Sequence, residues 1–331
     1  MNFGWLAAVK LREETSIALP PLPVVHRLAK AWVMKWLITF AIVAVAAAGF
    51  AYWFLSQSGP RQLDRLNNLW PGERDARLLI KNEVYDDELG LALDIWTPKD
   101  APGKASDRPL PVVIFLYGGG WNSGSKDDYG FAGRALANRG YMTVLADYRL
   151  YPTVKFPDFL EDSAKAVVWV HDNIAALGGD PGRIFLSGQS AGAYNAVMLA
   201  LDRQWLGRLG QTPDMIKGVA ALAGPYDFYP FERESSKNSF GSWHRPEMTQ
   251  PVNFARADAP PLWLSTGGND TLVKPRNSRI LHDKIIAAGG EAQYVEYPDM
   301  DHLEIIMAVA KPFRRKGPVL DDMIAFFESR K

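Results

Sequence analysis

The chain has 331 residues, 47% of them hydrophobic, enough to bury the core of one large domain or two small ones. Lysine and arginine number 37, and so do aspartate and glutamate, so no surplus of positive charge is on hand to neutralise a nucleic-acid backbone, and no nucleic-acid partner is expected. Cysteine is absent and none of the 5 histidines pairs at the spacing of a helical zinc site, which excludes disulfides, thiol nucleophiles and thiolate metal centres; no metal or other cofactor is expected.

Residues 1–35 carry a proline cluster at Pro20, Pro21 and Pro23 and no clear periodicity, and read as a poorly structured tail. Trp36 to Leu55 is an unbroken uncharged run whose roughly 20 residues span about 30 Å as a helix, the hydrocarbon thickness of a bilayer. Tyr52, Trp53 and Phe54 stand where an aromatic belt would lie, and Lys30 and Lys35 flank the other end. A soluble helix of this length keeps one polar face, and this one has almost none. Residues 36–55 therefore read as an uncleaved single-pass signal anchor. The rivals are a buried core helix and a signal peptide cut near Ala46 to Ala48, with Met34 as an alternative start, which would release a secreted protein; the apolar run continuing to Leu55 argues against cleavage. Arg27, Lys30 and Lys35 before the span, against Arg61 and Arg65 after it, favour the N-terminus inside and the bulk of the chain on the periplasmic or extracellular side of the membrane.

Residues 56–75 are polar and read as a linker. From residue 76 onward short β-branched runs alternate with amphipathic stretches, the pattern of an α/β domain with a mostly parallel sheet covered by helices on both faces. Strands are expected at Arg77 to Tyr85, Leu91 to Trp96, Pro111 to Tyr117, Met142 to Asp147, Ile184 to Ser187, Ile216 to Leu222, Leu262 to Thr266 and Ala292 to Tyr297, the first two pairing antiparallel. Helices are expected around Gly130 to Asn138, Phe159 to Ala176, Ala191 to Leu201, Ser278 to Ala288 and Leu320 to Arg330. An aromatic, proline-rich insertion at 229–259 breaks the alternation and is expected to form a lid-like element, with Phe231, Phe240 and Trp243 either lining a pocket or packing in the core.

The third expected strand runs into Tyr117-Gly118-Gly119-Gly120-Trp121. Three glycines at a strand's carboxyl end offer backbone N–H groups to the charge that builds on an ester's carbonyl oxygen during attack; a flexible turn is the plain alternative. Farther on, Arg183-Ile-Phe-Leu-Ser-Gly-Gln-Ser-Ala-Gly-Ala puts Ser190 in G-x-S-x-G between an apolar strand and a helix-forming segment. The sharp turn needs Gly188 and Gly192, where side chains would clash, and the Ala191 N–H becomes a second contributor to an oxyanion hole. Helix N-capping is the plain alternative for Ser190.

A serine hydroxyl needs an imidazole to take its proton and a carboxylate to hold the ring. His26 precedes the apolar run, His171 and His282 fall within expected helices, and His244 lies in the irregular insertion. His302 alone follows the last expected strand, in Tyr297-Pro-Asp-Met-Asp-His-Leu. Asp270, on the loop after the seventh strand, is the expected acid; Asp299 and Asp301 are nearer in sequence, but such neighbours more often cap a turn.

With these motifs in this order, the chain resembles the α/β-hydrolase superfamily from about Leu78 to the C-terminus, in the esterase and lipase branch that includes hormone-sensitive-lipase-like and other small carboxylesterases. Gly-Gln-Ser-Ala-Gly is joined by Asp147-Tyr148-Arg149-Leu150, similar to the family's D-Y-R-L, by Phe156-Pro157, by Gly179-Asp180-Pro181 leading to Arg183, and by Gly267, Asp270 and Val273 at positions matching G-x-x-D-x-x-V. The resemblance implies an α/β-hydrolase fold with an eight-stranded sheet and a catalytic domain over 76–331. It also implies a Ser190–Asp270–His302 triad and an oxyanion hole in which Gly119 and Gly120 donate and Gly118 shapes the turn. The substrates it implies are small carboxylic esters cleaved through an acyl-enzyme. The family usually has histidine before the three glycines; here Tyr117 stands there, and its phenol is expected to hydrogen-bond similarly. The same machinery serves amide cleavage, as in a formamidase or peptidase, and acyl transfer to another alcohol. An inactive hydrolase fold serving as a membrane-tethered binding module is the alternative of another class, and it predicts loss of a triad residue.

Overall fold

The structure is a computed structural model that describes residues 22–70, 72–73, 75–101 and 108–330. It divides into two units, Met1–Ser56 and Gln57–Lys331.

Among the described residues of the first unit, one helix, α1, runs Leu22–Leu55. Residues 22–35, expected as an unstructured tail, are therefore helical, because a proline in the first turn gives up only an N–H that has no partner there. The rest of the expected tail, residues 1–21, lies outside the described residues. The stretch Lys30–Trp53 has a mean hydropathy of 2.0 and, at 24 residues, is long and apolar enough to cross a bilayer.

The second unit opens with α2 (Gly59–Leu69), where a linker was expected. Ser58 caps it, with Oγ accepting from the Arg61 N–H at 3.3 Å, and Pro60 sits in its first turn. Leu63 and Asn67, one turn apart, face inward, and ion pairs from Arg61 to Asp128 and from Asp64 to Arg134, both 2.5 Å, hold the helix to the domain.

The elements that follow are β1 (Ala76–Asp86), β2 (Leu91–Pro98), β3 (Leu110–Leu116), α3 (Gly130–Ala137), β4 (Met142–Ala146), α4 (Asp158–Asn173), β5 (Gly179–Gln189), α5 (Ala191–Leu201), α6 (Gln204–Gly207), β6 (Ile216–Leu222), α7 (Glu234–Phe240), β7 (Leu262–Gly267), α8 (Arg276–Ala287), β8 (Ala292–Tyr297), α9 (His302–Met307) and α10 (Val319–Glu328). The strands form one eight-stranded sheet in the order β1-β2-β4-β3-β5-β6-β7-β8. β2 pairs antiparallel with β1 and β4, and the remaining pairs are parallel. β4 and β7 are buried along their whole length, which is why they read as continuous apolar runs rather than alternating ones. Parallel pairing brings the carboxyl ends of β3, β5, β7 and β8 to one edge, and the loops bearing the glycines, Ser190, Asp270 and His302 leave from there.

The insertion between β6 and β7 packs against the core through aromatic side chains. Phe240 of α7 is fully buried, with ring centroids of Trp121, Phe156, Phe159, Tyr194 and Phe228 between 4.7 and 5.5 Å away. Phe231 stacks on Phe240 and Trp243 meets Phe156 edge-on. Of the two roles foreseen for Phe231, Phe240 and Trp243, core packing is the one they fill.

Candidate active site

β5 ends at Gln189 and α5 begins at Ala191, so Ser190 makes the turn alone, at φ 54° and ψ −117°. This backbone region is costly for a residue with a side chain and persists where the surroundings enforce it. Ser190 N–H donates to Leu222 O at 2.8 Å. A Cβ at Gly192 would stand 2.0 Å from Leu116 O, and one at Gly188 would stand 2.5 Å from the Gly192 carbonyl carbon, so two elements pass too closely here for any side chain. Ser190 occupies the N-cap position of α5 but makes no side-chain cap bond, which removes the plain capping alternative.

The root of the glycine loop is fixed without an imidazole. Tyr117 stacks on Tyr148 at 4.3 Å with the ring planes 11° apart. The two exchange hydrogen bonds: Tyr117 Oη–H donates to Tyr148 O at 2.9 Å, and Tyr148 Oη–H donates to Tyr117 O at 2.7 Å. Burial pushes both phenols up, so both remain protonated donors. Gly118 N–H donates to Tyr129 Oη at 3.2 Å and is engaged in shaping the loop. Gly119 and Gly120 follow at φ 132° and 59°, with Gly119 O accepting from the N–H groups of Asn122 and Ser123. The three glycines and Ser190 line one cavity, and Ala191 lies buried beside Ser190 at the N-terminus of α5, where aligned backbone dipoles favour negative charge.

His302 Nδ1 lies 2.7 Å from Asp270 Oδ2. The other carboxylate oxygen accepts from the N–H groups of Leu272 at 2.8 Å and Val273 at 2.7 Å, so three donors hold Asp270 in place. Asp301, the nearer rival, is committed to a capping box. Its Oδ1 accepts from the N–H groups of Leu303 and Glu304, and Glu304 accepts from the Asp301 N–H. Asp299 is exposed. His302 is thus the first residue of a helix, a detail that the short apolar sequence after it did not disclose. Among the other histidines, His171 and His282 pair with the next residue, Asp172 and Asp283, and His244 is exposed in the insertion.

Two residues near His302 were not singled out from the sequence. Gln189 Nε2 stands 3.1 Å from His302 Nε2, and Gln189 Oε1 accepts from Tyr129 Oη at 3.2 Å. Gln189 is one of the two variable positions of the G-x-S-x-G motif; Tyr129 carries no motif at all.

The cavity has a volume of about 580 Å³. Ser58 and Pro60 at the start of α2, Tyr229 and Ser235 of the insertion, Leu272 and Leu303 complete its walls. Arg233 ties the insertion to the loop of Asp270, donating to Thr271 O and Leu272 O, both at 3.1 Å. Among the described residues no group of three or more histidines and carboxylates is placed to hold a metal ion.

The BD-FAE family profile matches residues 93–285. The isoprenylcysteine alpha-carbonyl methylesterase ICME of Arabidopsis thaliana is 30% identical over 266 residues, covering 73% of this chain and 60% of that protein. Carboxylesterase NlhH of Mycobacterium tuberculosis is 34% identical over 306 residues, covering 85% of this chain and 90% of that protein. The chain spans about 60% of the length of ICME and 58% of that of the M. tuberculosis esterase LipC, to which it is 28% identical. Among solved structures, the apo form of Thermogutta terrifontis esterase 2 shares the fold at a TM-score of 0.64 and 23% identity, over 78% of this chain and 96% of that one.

Proposed function

Since the chain belongs to the BD-FAE family, in the carboxylesterase branch of the α/β-hydrolases, we propose that it hydrolyses small carboxylic esters through an acyl-serine intermediate. Ser190 Oγ attacks the ester carbonyl while His302 Nε2 takes its proton, and Asp270 holds the ring with Nδ1–H pointing at the carboxylate. The developing oxyanion meets the N–H groups of Gly119, Gly120 and Ala191. Collapse of the tetrahedral intermediate breaks the bond to the alcohol, which leaves with the proton from His302. Water then repeats the sequence on the acyl-serine and releases the acid. The observation that carries this reading is the 2.7 Å contact of buried His302 with buried Asp270, at the cavity that Ser190 and the glycines line. A cavity of about 580 Å³ suits an ester of modest size. We read Lys30–Trp53 as a membrane anchor, a reading supported by the stretch's length and hydropathy, with the following unit on the outer face, a side supported by the Arg27, Lys30 and Lys35 charges before the apolar run.

The test is a fluorophosphonate probe together with nitrophenyl esters of increasing acyl length, applied to the full chain and to Ser190→Ala. The wild type is expected to be labelled and to turn over the shorter esters. The alanine variant should lose labelling and at least about 10³-fold in kcat/KM. Equal turnover by the two proteins would refute the assignment, and wild-type cleavage of anilides but not esters would move it to amide hydrolysis.

A further inference from the structure

Gln189 immediately precedes the nucleophile, is buried, and turns its side chain across the glycine loop: a Cβ at Gly118 would stand 2.1 Å from Gln189 Oε1. Tyr129 Oη accepts from the Gly118 N–H and donates to Gln189 Oε1, which leaves the carboxamide nitrogen facing His302 Nε2 at 3.1 Å. Two nitrogens at that distance need one donor and one acceptor. His302 Nδ1–H is directed at Asp270 Oδ2, so the neutral ring carries its lone pair on Nε2 and accepts from Gln189. That lone pair is also the one the esterase reading assigns to the Ser190 proton. Once Nε2 is protonated, the two groups are both donors and repel. A half-turn of the carboxamide presents Oε1 instead, and the Tyr129 hydroxyl, able to donate or accept, serves either end.

We propose that Gln189 is a positioning residue for His302, donating to Nε2 of the neutral ring and, after its carboxamide turns over, accepting from Nε2 of the protonated ring. The proposal rests on the esterase reading of the site. Gln189 carries no proton between groups and forms no bond to substrate; because Nε2 has one lone pair or one hydrogen, the contact holds the ring ready between proton transfers and gives way to Ser190 and then to the leaving alcohol as each transfer occurs. The cavity that His302 lines also carries Asp128, paired with Arg61, Asp227, paired with Arg276, Glu234, paired with Lys237, and Glu232 and Lys274. Asp270 sits at Nδ1, and on its own helix Asp301 is spent on backbone N–H groups and Glu304 on Lys316. Across the cavity, Arg233 is turned to the carbonyls of Thr271 and Leu272.

Three variants of the full chain test this through kcat and KM across pH. Gln189→Met fills the space without either hydrogen bond, and kcat is expected to fall about tenfold with KM within twofold. Gln189→Glu offers only acceptors, so the acidic limb of its kcat/KM profile should move to higher pH by half a unit or more, with activity recovering towards wild type on the alkaline side. Tyr129→Phe leaves the amide in place but unfixed, and a several-fold drop in kcat alone is expected even if the charge of Gln189→Glu impairs folding. A purely packing role would lower the profile without moving it. Wild-type kcat in Gln189→Met and Tyr129→Phe, or an unshifted limb in Gln189→Glu, would overturn the proposal. Loss of turnover in Ser190→Ala alongside those results would show that this inference fails while the serine assignment stands; turnover surviving in Ser190→Ala would bring down both.

Discussion

Asp147 opens the D-Y-R-L motif and is not among the residues lining the cavity, yet its titration is displaced. Burial pushes it up to about 6, against a hydrogen bond from the Lys126 N–H at 2.9 Å, and Asp94 and Asp127 nearby add to the rise. A carboxyl with a raised value in the folded state adds stability that is complete below its unfolded value near 3.8 and is lost as pH climbs through about 6. Asp147→Asn keeps the shape and the acceptor while removing the charge. Its Tm is expected to exceed that of the wild type at pH 8, by an equivalent of at most about 3 kcal/mol, and to converge with it as pH falls from 6 to below 4. An asparagine variant less stable than wild type at pH 8 would show that the ionised carboxylate is favoured by its surroundings. At this scale the candidate residues most legible in the sequence were those set by strand ends: a serine between glycines, a histidine after the last strand and an aspartate after the one before. Gln189 and Tyr129 were opaque because their roles arise from meetings across 113 and 60 residues of chain, and neither residue type announces such a meeting.

Among the elements, α7 shows how an irregular insertion becomes part of the core. Phe240→Ala would empty the middle of the aromatic cluster and is expected to cost about 3–5 kcal/mol in urea unfolding, with Phe240→Leu recovering much of it. Trp121 directly follows Gly120 and leans on Phe240, so the alanine variant should also lose kcat; a loss of stability under about 1 kcal/mol would mean that the insertion folds apart from the sheet. The sheet itself could be read from sequence because buried parallel strands are continuous apolar runs bounded by glycine and proline. α2 could not. It buries one leucine and one asparagine and is held by ion pairs to Asp128 and Arg134, so it lacks the apolar period by which a helix is recognised. The start of β5 was missed for a similar reason: Gly179 to Arg183 is polar and glycine-rich, and pairing with β3 extends the strand there.

For the molecule as a whole, the apolar helix and the α/β-hydrolase unit predict two separable behaviours. The full chain is expected to stay with the membrane fraction through high salt and alkaline carbonate and to be released by detergent. A chain beginning at Gln57 should remain in the supernatant. Release of the intact full chain by carbonate would argue against a spanning helix. Ser58, the cap of α2, and Pro60, in its first turn, belong also to the wall of the cavity. Any trimming that reaches past them to make a soluble reagent would strip away part of the cavity wall. If Lys30–Trp53 is an anchor and the cavity takes an ester, cellular address and choice of substrate sit on adjoining stretches of chain, and a deletion that sheds the first can alter the second.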